Sequence, residues 1–141
     1  MTTKEMSSRV ILRITSVILV ILLTTTLLKA QTWYDSDWLY RSPVTVSNPG
    51  TNFLTDLQVN IILRASNFDF TKSNINGYDL RLTSSDGTTL IPFWIESWIS
   101  GDTASIWVKV PSIPPSGTTL FLYYGNTQAT SISSGLVSRH I

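Results

Sequence analysis

The fold is decided by residues 78–126, which read YDLRLTSSDGTTLIPFWIESWISGDTASIWVKVPSIPPSGTTLFLYYGN. Apolar and polar side chains alternate in this stretch, which is the period of a strand. Turn residues interrupt it, among them Asp86-Gly87 and the proline-rich segment 111–117. We therefore predict four consecutive strands joined as a meander. Residues 90–98 carry apolar side chains at both odd and even positions, which face opposite sides of a strand. This pattern predicts an interior strand covered on both sides.

Two further strands are predicted before this stretch. Residues 40–47 alternate as a strand, and Pro43 predicts an edge strand or a bulged one because proline cannot donate a ladder hydrogen bond. Residues 57–63 predict a half-buried strand. Phe68 and Phe70 are predicted to anchor the irregular segment after it, with a single helical turn beside Phe70. Together the patterns predict an all-β fold, an antiparallel β-sandwich of jelly-roll-like character.

The first 30 residues predict a helical secretory signal peptide. A basic beginning is followed by an uncharged apolar run at residues 14–28 and by Ala30, a small residue of the kind that signal peptidase requires. An uncleaved membrane anchor is the alternative, although the run is shorter than the roughly 20 residues that a membrane span needs. The predicted organisation is a signal peptide at 1–30, a β-sandwich domain at 31–126 and a C-terminal tail at 127–141.

Charge and cysteine content exclude several classes of function. After residue 30 the chain has six basic and eight acidic residues, a net charge of −2 with no basic patch, so nucleic acid is not an expected partner. The chain has no cysteine. A lipid-modified N-terminus and cysteine-based metal or nucleophile sites are therefore excluded. The expected location is secreted or cell-surface, with the core alone stabilising the domain.

Three motifs occur in a characteristic order: WLYRSPVTVSN, YDLRLTSSDGTTLIPFWIESW and SIWVKVPSIPPSGTTLFLYYGN. They resemble a family of extracellular bacterial and archaeal domains, the domain of unknown function 2341 family, over about residues 38–126. The resemblance implies a β-sandwich module of large secreted or surface proteins, often beside lectin-like domains, and hence adhesion or glycan binding. It supplies no functional residues. Family members usually continue past the YYGN motif, so a truncated member is expected.

Aromatic side chains are the candidates for ligand binding, because the C–H faces of sugars stack on indole rings. Large aromatic residues on strands mostly pack inward, and we predict core positions for Trp94 and Trp107. Trp98 stands at a predicted strand end among polar neighbours, while Trp33 and Trp38 lie in a polar entry segment. These last three are the predicted ligand-binding residues.

The charged residues predict structure rather than catalysis. Arg81 and Glu96 lie on strands predicted to be adjacent, and we expect a structural ion pair between them. The alternative makes Glu96 a general acid with Asp79 as the second carboxylate of a glycosidase. His140, the only histidine, lies next to the C-terminus, which disfavours a Ser-His-Asp arrangement. No catalytic residue is predicted, and the chain is expected not to be an enzyme.

Metal and cofactor sites are not predicted either. Asp35, Asp37 and Asp69 are the candidate calcium ligands, but their spacing matches no defined binding loop. Three functions remain open, of which the first two are an exported binding module for glycans or surface partners, and a structural spacer or assembly module of a larger surface protein. An accessory domain of a carbohydrate-active enzyme is the third. Contact with a membrane is expected only through an uncleaved signal segment.

Overall fold

The computed structural model of the chain describes residues 32–135. All of them belong to one compact unit, Gln31–Ile141. The predicted signal peptide, the end of the predicted tail and His140 lie outside the described residues.

The described residues form two antiparallel sheets of three strands each. Sheet 1 has the order β1-β6-β3, and sheet 2 has the order β2-β5-β4. The strands are β1 (Tyr40–Val46), β2 (Leu54–Arg64), β3 (Arg81–Thr83), β4 (Phe93–Ile99), β5 (Thr103–Ile113) and β6 (Thr118–Tyr124). The predicted all-β sandwich is confirmed. Within residues 32–135, no helix combines the length and the apolar character needed to cross a membrane.

The core lies between the two sheets. Its fully buried side chains come from alternate positions of the central strands, among them Ile106 and Val108 on β5 and Leu120 and Leu122 on β6. Each such side chain contributes about 1.5–3 kcal/mol by leaving water. The apolar side chains at alternate positions of these strands therefore hold the two sheets face to face.

Several local predictions are confirmed. β1 is an edge strand, as Pro43 predicted. Phe68 and Phe70 are buried, and a single 3-10 turn spans Phe70–Lys72. Asp69 caps this turn by accepting a hydrogen bond from the backbone N–H of Thr71 at 3.1 Å.

The predicted meander is wrong, because the chain changes sheets after β3. Leu90 bridges Thr83, and the Ile91 N–H donates to the Leu82 carbonyl at 2.8 Å. Pro92 comes next, and it has no N–H with which to extend the ladder. The chain crosses to sheet 2, where β4 pairs with β5, while β3 pairs with β6.

The predicted interior position of residues 90–98 is also wrong, because β4 is an edge strand. A bulge between Ile95 and Ser97 changes the parity, so that Phe93, Ile95 and Trp98 all pack toward the core. This bulge explains the apolar residues on both parities. The strand that is covered on both faces is β6, because Trp38 and Ala129 pack over its outer side.

A buried carboxylate joins three segments of the chain. Asp79 has no exposed surface. Its Oδ1 accepts from the Ser73 hydroxyl at 2.9 Å and from the Asn74 N–H at 3.0 Å. Its Oδ2 accepts from the Gly125 N–H at 2.7 Å. The start of the YDLR motif is thereby tied to the glycine of the YYGN motif.

Arg81, the other charged residue of the YDLR motif, is also buried. The guanidinium of Arg81 donates to the carbonyls of Leu80 at 2.7 Å, Tyr78 at 3.2 Å and Thr130 at 3.0 Å. Its Cζ lies 4.7 Å from the ring centroid of Trp38. Carbonyl oxygens and an indole face thus replace water around this cation.

We expect Asp79→Ala to lower the free energy of unfolding by about 3 kcal/mol or more, because the buried Gly125 N–H and the half-buried donors of Ser73 and Asn74 lose their acceptor. Urea unfolding followed by circular dichroism measures the change. Asp37→Ala, at an exposed position, should alter stability by less than about 0.5 kcal/mol. Equal effects of the two substitutions would contradict this role of Asp79.

Candidate functional site

Trp38, one of the predicted ligand-binding residues, is part of the interior. It is 8% exposed, and its indole N–H donates to the Asp79 carbonyl at 2.6 Å. The edge of its ring meets Tyr34, and the guanidinium of Arg81 lies over its face. The prediction for Trp38 is therefore corrected: the ring closes the outer side of sheet 1 and offers no surface for stacking a sugar.

Trp98 is likewise a packing residue. Its ring meets Phe70 and Phe68 edge to face, with centroid separations of 5.2 and 6.2 Å. Its indole N–H donates to the Ile75 carbonyl at 2.8 Å. The ring lies so close to Gly77 that a Cβ atom there would be 2.7 Å from Cε3 of Trp98. These contacts give Trp98 a packing role, its ring remains half-buried, and its role in ligand binding stays a prediction.

Trp33 keeps the largest exposed fraction of the three, 41%. Its ring meets Tyr123 edge to face at 5.2 Å, and Arg41 lies over it at 4.7 Å. Its N–H donates to the Trp38 carbonyl at 2.9 Å. Trp33 thus fastens the entry segment to sheet 1, and its role in ligand binding stays a prediction.

The predicted ion pair between Arg81 and Glu96 is wrong. The two residues lie on β3 and β4, which belong to different sheets. Arg81 points to the covered outer side of sheet 1, where Trp38 and Thr130 contact it. Glu96 is exposed on the outer side of sheet 2. The same separation removes the alternative of catalysis with Asp79, which is wholly buried beside sheet 1.

The outer face of sheet 2 brings together two half-buried indoles and three polar side chains, which we call the indole face: Trp94, Trp107, Glu96, Ser105 and Asn60. Trp94 and Trp107 are cross-strand partners on β4 and β5. Their chain neighbours Phe93, Ile106 and Val108 are core residues, so strand alternation directs the two indoles away from the core. The predicted core positions of Trp94 and Trp107 are therefore wrong.

A chain of hydrogen bonds fixes the polar part of the indole face. Asn60 Nδ2 donates to Ser105 Oγ at 2.9 Å, and Ser105 Oγ donates to Glu96 Oε2 at 2.9 Å. The same oxygen accepts from Trp107 Nε1 at 3.1 Å. Because the indole N–H is committed to Glu96, the orientation of the Trp107 ring is set before any ligand arrives.

Lys109 brings a positive charge to the same side of β5. It lies two residues from Trp107, and its Nζ is 3.3 Å from Asp56 Oδ1. Both side chains are largely exposed, so this pair contributes little to stability. The pair places the carboxylate of Asp56 beside Lys109, the only basic residue of β5.

Asp35 and Asp69, two of the candidate calcium ligands, form hydrogen bonds within their own loops. Asp35 Oδ1 accepts from the Asp37 N–H at 2.9 Å, a bond within its own turn. Asp69 caps the 3-10 turn, and the Thr71 hydroxyl together with Lys72 lowers the pKa of its carboxyl. An open cleft of about 460 Å³ lies along residues 65–71 and Gly101. Between residues 32 and 135, no three potential metal-binding side chains come together.

The turn at Asp86 is closed by its own carboxylate. Oδ2 accepts from the Thr89 hydroxyl at 2.5 Å, and Oδ1 accepts from the N–H groups of Thr88 and Thr89 at 2.8 and 2.9 Å. These bonds, led by the one from the Thr89 hydroxyl, hold the pKa of Asp86 well below its usual range. Tyr123 donates to the Gly87 carbonyl, and Thr32 donates to that of Asp86. The turn thus belongs to the scaffold.

Sequence reasoning missed the indole face although one signal for it was present. In residues 105–110 the apolar parity of Ile106 and Val108 leaves Trp107 with Lys109 on the other side. A lysine on the same face marks that side as exposed to solvent. For Trp94 the signal was hidden by the bulge at Ile95/Ser97.

Comparisons with known proteins identify one family. Residues 76–138 match the family model described as "Domain of unknown function (DUF2341)". The family that the motifs predicted is thereby confirmed. Neither the curated proteins nor the solved structures contain a significant match.

We expect Gly77→Ala to destabilise the domain more than Gly101→Ala. Both glycines have positive φ, 68° and 82°, so either substitution introduces backbone strain of about 1–2 kcal/mol. A new Cβ at Gly101 meets nothing within 4 Å, whereas at Gly77 it meets the Trp98 ring, which adds about 1–3 kcal/mol. Thermal unfolding of both variants measures the difference, and equal losses would contradict a packed Trp98.

Asp86 gives a prediction for pH. Its pKa in the folded chain is below the unfolded value of about 4, so its carboxylate stabilises the fold above about pH 4. That contribution is lost as the pH falls toward the folded value. The stability difference between wild type and Asp86→Asn should be largest near neutral pH and shrink below about pH 4. Urea unfolding from pH 7 to 2 measures it, with Asp102→Asn as the charge control. A pH-independent difference would contradict the prediction.

Proposed function

Residues 76–138 belong to the DUF2341 family, and on that premise we propose that the chain is an exported, non-catalytic module that binds glycans through the indole face. The observation that carries the proposal is the pairing of Trp94 with Trp107 on the outer side of a rigid sheet. The predicted signal peptide supports export to the cell surface or the medium.

Ring geometry supports a sugar as the ligand. The two indoles are anchored on neighbouring strands, about 5 Å apart at the backbone. A flat, half-exposed indole offers an apolar surface to the C–H face of a pyranose ring. Because the hydrogen bond to Glu96 holds the Trp107 ring, little conformational entropy of that ring is lost when a ligand binds.

Polar groups beside the rings support recognition of hydroxyls. Glu96 supplies a carboxylate, and Asn60 supplies an amide oxygen and N–H groups on the opposite side of Trp107. A sugar that stacks on Trp107 therefore has acceptors and donors at its equatorial edge. Such alternation of apolar and polar surface matches a carbohydrate better than it matches an apolar protein segment.

The carboxylates around the indole face support a binding role rather than hydrolysis. A glycosidase needs two carboxyl groups about 5–10 Å apart in one cleft. Glu96 is the only carboxylate of the indole face, and Asp56 is paired with Lys109 at 3.3 Å.

A second candidate function is assembly within a larger surface protein. Phe53, with 65% of its surface exposed, Leu54 and Leu57 form an apolar group at the start of β2, an edge strand. A partner that covers this group would bury it without using the indoles. Binding that depends on Trp94 and Trp107 therefore separates the two functions.

We expect Trp107→Ala and Trp94→Ala each to weaken glycan binding about 30-fold, the loss of about 2 kcal/mol that removal of an anchoring indole produces. Isothermal titration of residues 31–141 against soluble neutral hexasaccharides of glucan, mannan and galactan measures the affinity. Trp33→Ala, which removes an exposed indole that packs against sheet 1, is the matched control, and if the indole face is the binding site this variant binds as wild type.

Two results would contradict the proposed site. In one, the wild-type domain binds none of the three hexasaccharides. In the other, Trp33→Ala is as damaging as Trp107→Ala. Near-ultraviolet circular dichroism of every variant verifies that the fold is retained.

A further inference from the structure

We propose that the glycan bound by the indole face is an extended chain of diequatorially linked pyranose rings, and that this chain runs across the strands from Trp94 over Trp107 to Asn60. The inference rests on the proposed glycan-binding function and names the ligand class of the same site.

Three side chains of the indole face lie in one row across sheet 2. Trp107 on β5 is the cross-strand partner of Trp94 on β4 and, on its other side, of Asn60 on β2. Neighbouring strands are about 4.8 Å apart, so the three positions follow one another at that spacing, perpendicular to the strands. All three side chains are half-buried. A ligand that follows the row therefore meets two indoles and then an amide.

The spacing of the row matches an extended glycan. In a chain of rings joined through equatorial bonds on their opposite sides, each ring advances the chain by a distance close to the separation of two strands. Two consecutive rings therefore stack on the two indoles, and the third ring reaches Asn60. A pyranose with equatorial substituents presents axial C–H bonds on both of its faces, so the alternating orientation of consecutive rings does not interrupt the stacking.

The shape of the sheet disfavours curved chains. Neighbouring strands are rotated by about 20–25°, so three registered positions turn by less than about 50° in total. A glycan with an axial link at every ring, as in the maltose series, winds into a helix and leaves such a surface after one or two rings. It stacks on one indole and makes no contact with the rest of the row.

The direction along β5 is a poorer path for the ligand. Side chains on one face of a strand are about 6.8 Å apart, which is longer than the advance of one ring. The positions next to Trp107 on this face are Ser105 and Lys109, and Trp107 is the only aromatic residue of β5. A chain along β5 therefore stacks on one indole, whereas a chain across the strands stacks on two.

Asn60 supplies the polar contact of the third ring. Its Nδ2 donates to Ser105 Oγ at 2.9 Å, which fixes the plane of the amide. An amide carries two N–H donors and an acceptor oxygen, so the second N–H and Oδ1 are suited to bond the hydroxyls of a sugar. A net hydrogen bond of this kind changes affinity about fivefold.

The first experiment compares oligosaccharides that differ in linkage alone. Cellohexaose and maltohexaose, both of glucose, are titrated into residues 31–141, and so are the β-linked and α-linked hexasaccharides of mannose. In the pair that contains the tightest ligand, we expect the diequatorially linked member to bind wild type about 30-fold more tightly, the difference that one anchoring indole makes. Trp94→Ala leaves one indole for either chain and should remove most of this preference.

The second experiment uses chain length to locate the third contact. The di-, tri- and tetrasaccharide of the preferred β-linked series are titrated and followed by nuclear magnetic resonance of the indole N–H groups. We expect the step from two to three rings to raise affinity about fivefold, and the next step to add much less. Asn60→Ala should abolish the first step and retain the disaccharide. Lys109→Ala, at the next position of this face along β5, is the matched control and should keep the wild-type step.

The outcomes distinguish this inference from the proposed function. Binding that depends on Trp107 but is equal or tighter for the α-linked chains, or that is confined to the galactan hexasaccharide, overturns the extended ligand and leaves the glycan site standing. A length step that survives Asn60→Ala, or that is lost in Lys109→Ala, overturns the path across the strands.

The disaccharide separates contact from orientation. Equal losses of di- and trisaccharide affinity in Asn60→Ala also overturn the path, because Asn60 then acts only by orienting Trp107 through Ser105 and Glu96. Failure of wild type to bind any neutral hexasaccharide overturns both the path and the proposed function.

Discussion

The buried carboxylate of Asp79 is the constraint on which the rest of the domain depends. A charge without access to water must have its acceptor positions filled, and here the donors come from the exit of the 3-10 turn and from the end of β6. The backbone of the same residue accepts the Trp38 indole N–H. One residue therefore sets the start of β3, the end of β6 and the path of the entry segment.

These hydrogen bonds also make the outer faces of the two sheets different. The entry segment and residues 129–130 lie over sheet 1, where Trp38, Ala129 and the guanidinium of Arg81 fill its outer side. Sheet 2 has polar and half-buried side chains on its outer face instead. The two indoles thus differ in role: Trp38 completes the outer side of sheet 1, and Trp107 remains half-exposed on sheet 2.

Local structure was predictable from the sequence, whereas strand pairing was not. The positions of β1, β2 and β5, the edge character of β1 and the buried phenylalanines follow from alternation and from the missing N–H of proline. The order β1-β6-β3 depends on contacts between residues far apart in the chain, which no local pattern records.

The error at residues 90–98 has a local cause, since a single bulge at Ile95/Ser97 reverses the face on which later side chains lie. The burial of Trp38, Trp94 and Trp107 was mispredicted for a related reason, because the exposure of an aromatic side chain depends on which face of the sheet other segments cover. The polar neighbours of Trp98 indicate exposure, yet its ring packs on Phe70, and for Trp107 the parity with Lys109 is a better guide than residue type.

Hydrogen bonds along the outer edge of β4 limit the pairing of this edge with a strand from another copy of the domain. The Ile95 N–H donates to Ser133 Oγ at 2.9 Å, and the Ser134 N–H donates to the Phe93 carbonyl at 3.0 Å. In sheet 1, Pro43 weakens one edge and the Thr83–Leu90 bridge occupies the other. Three of the four edges of the two described sheets are therefore unfavourable for the addition of a strand from another copy, which lowers the tendency of the domain to associate edge to edge.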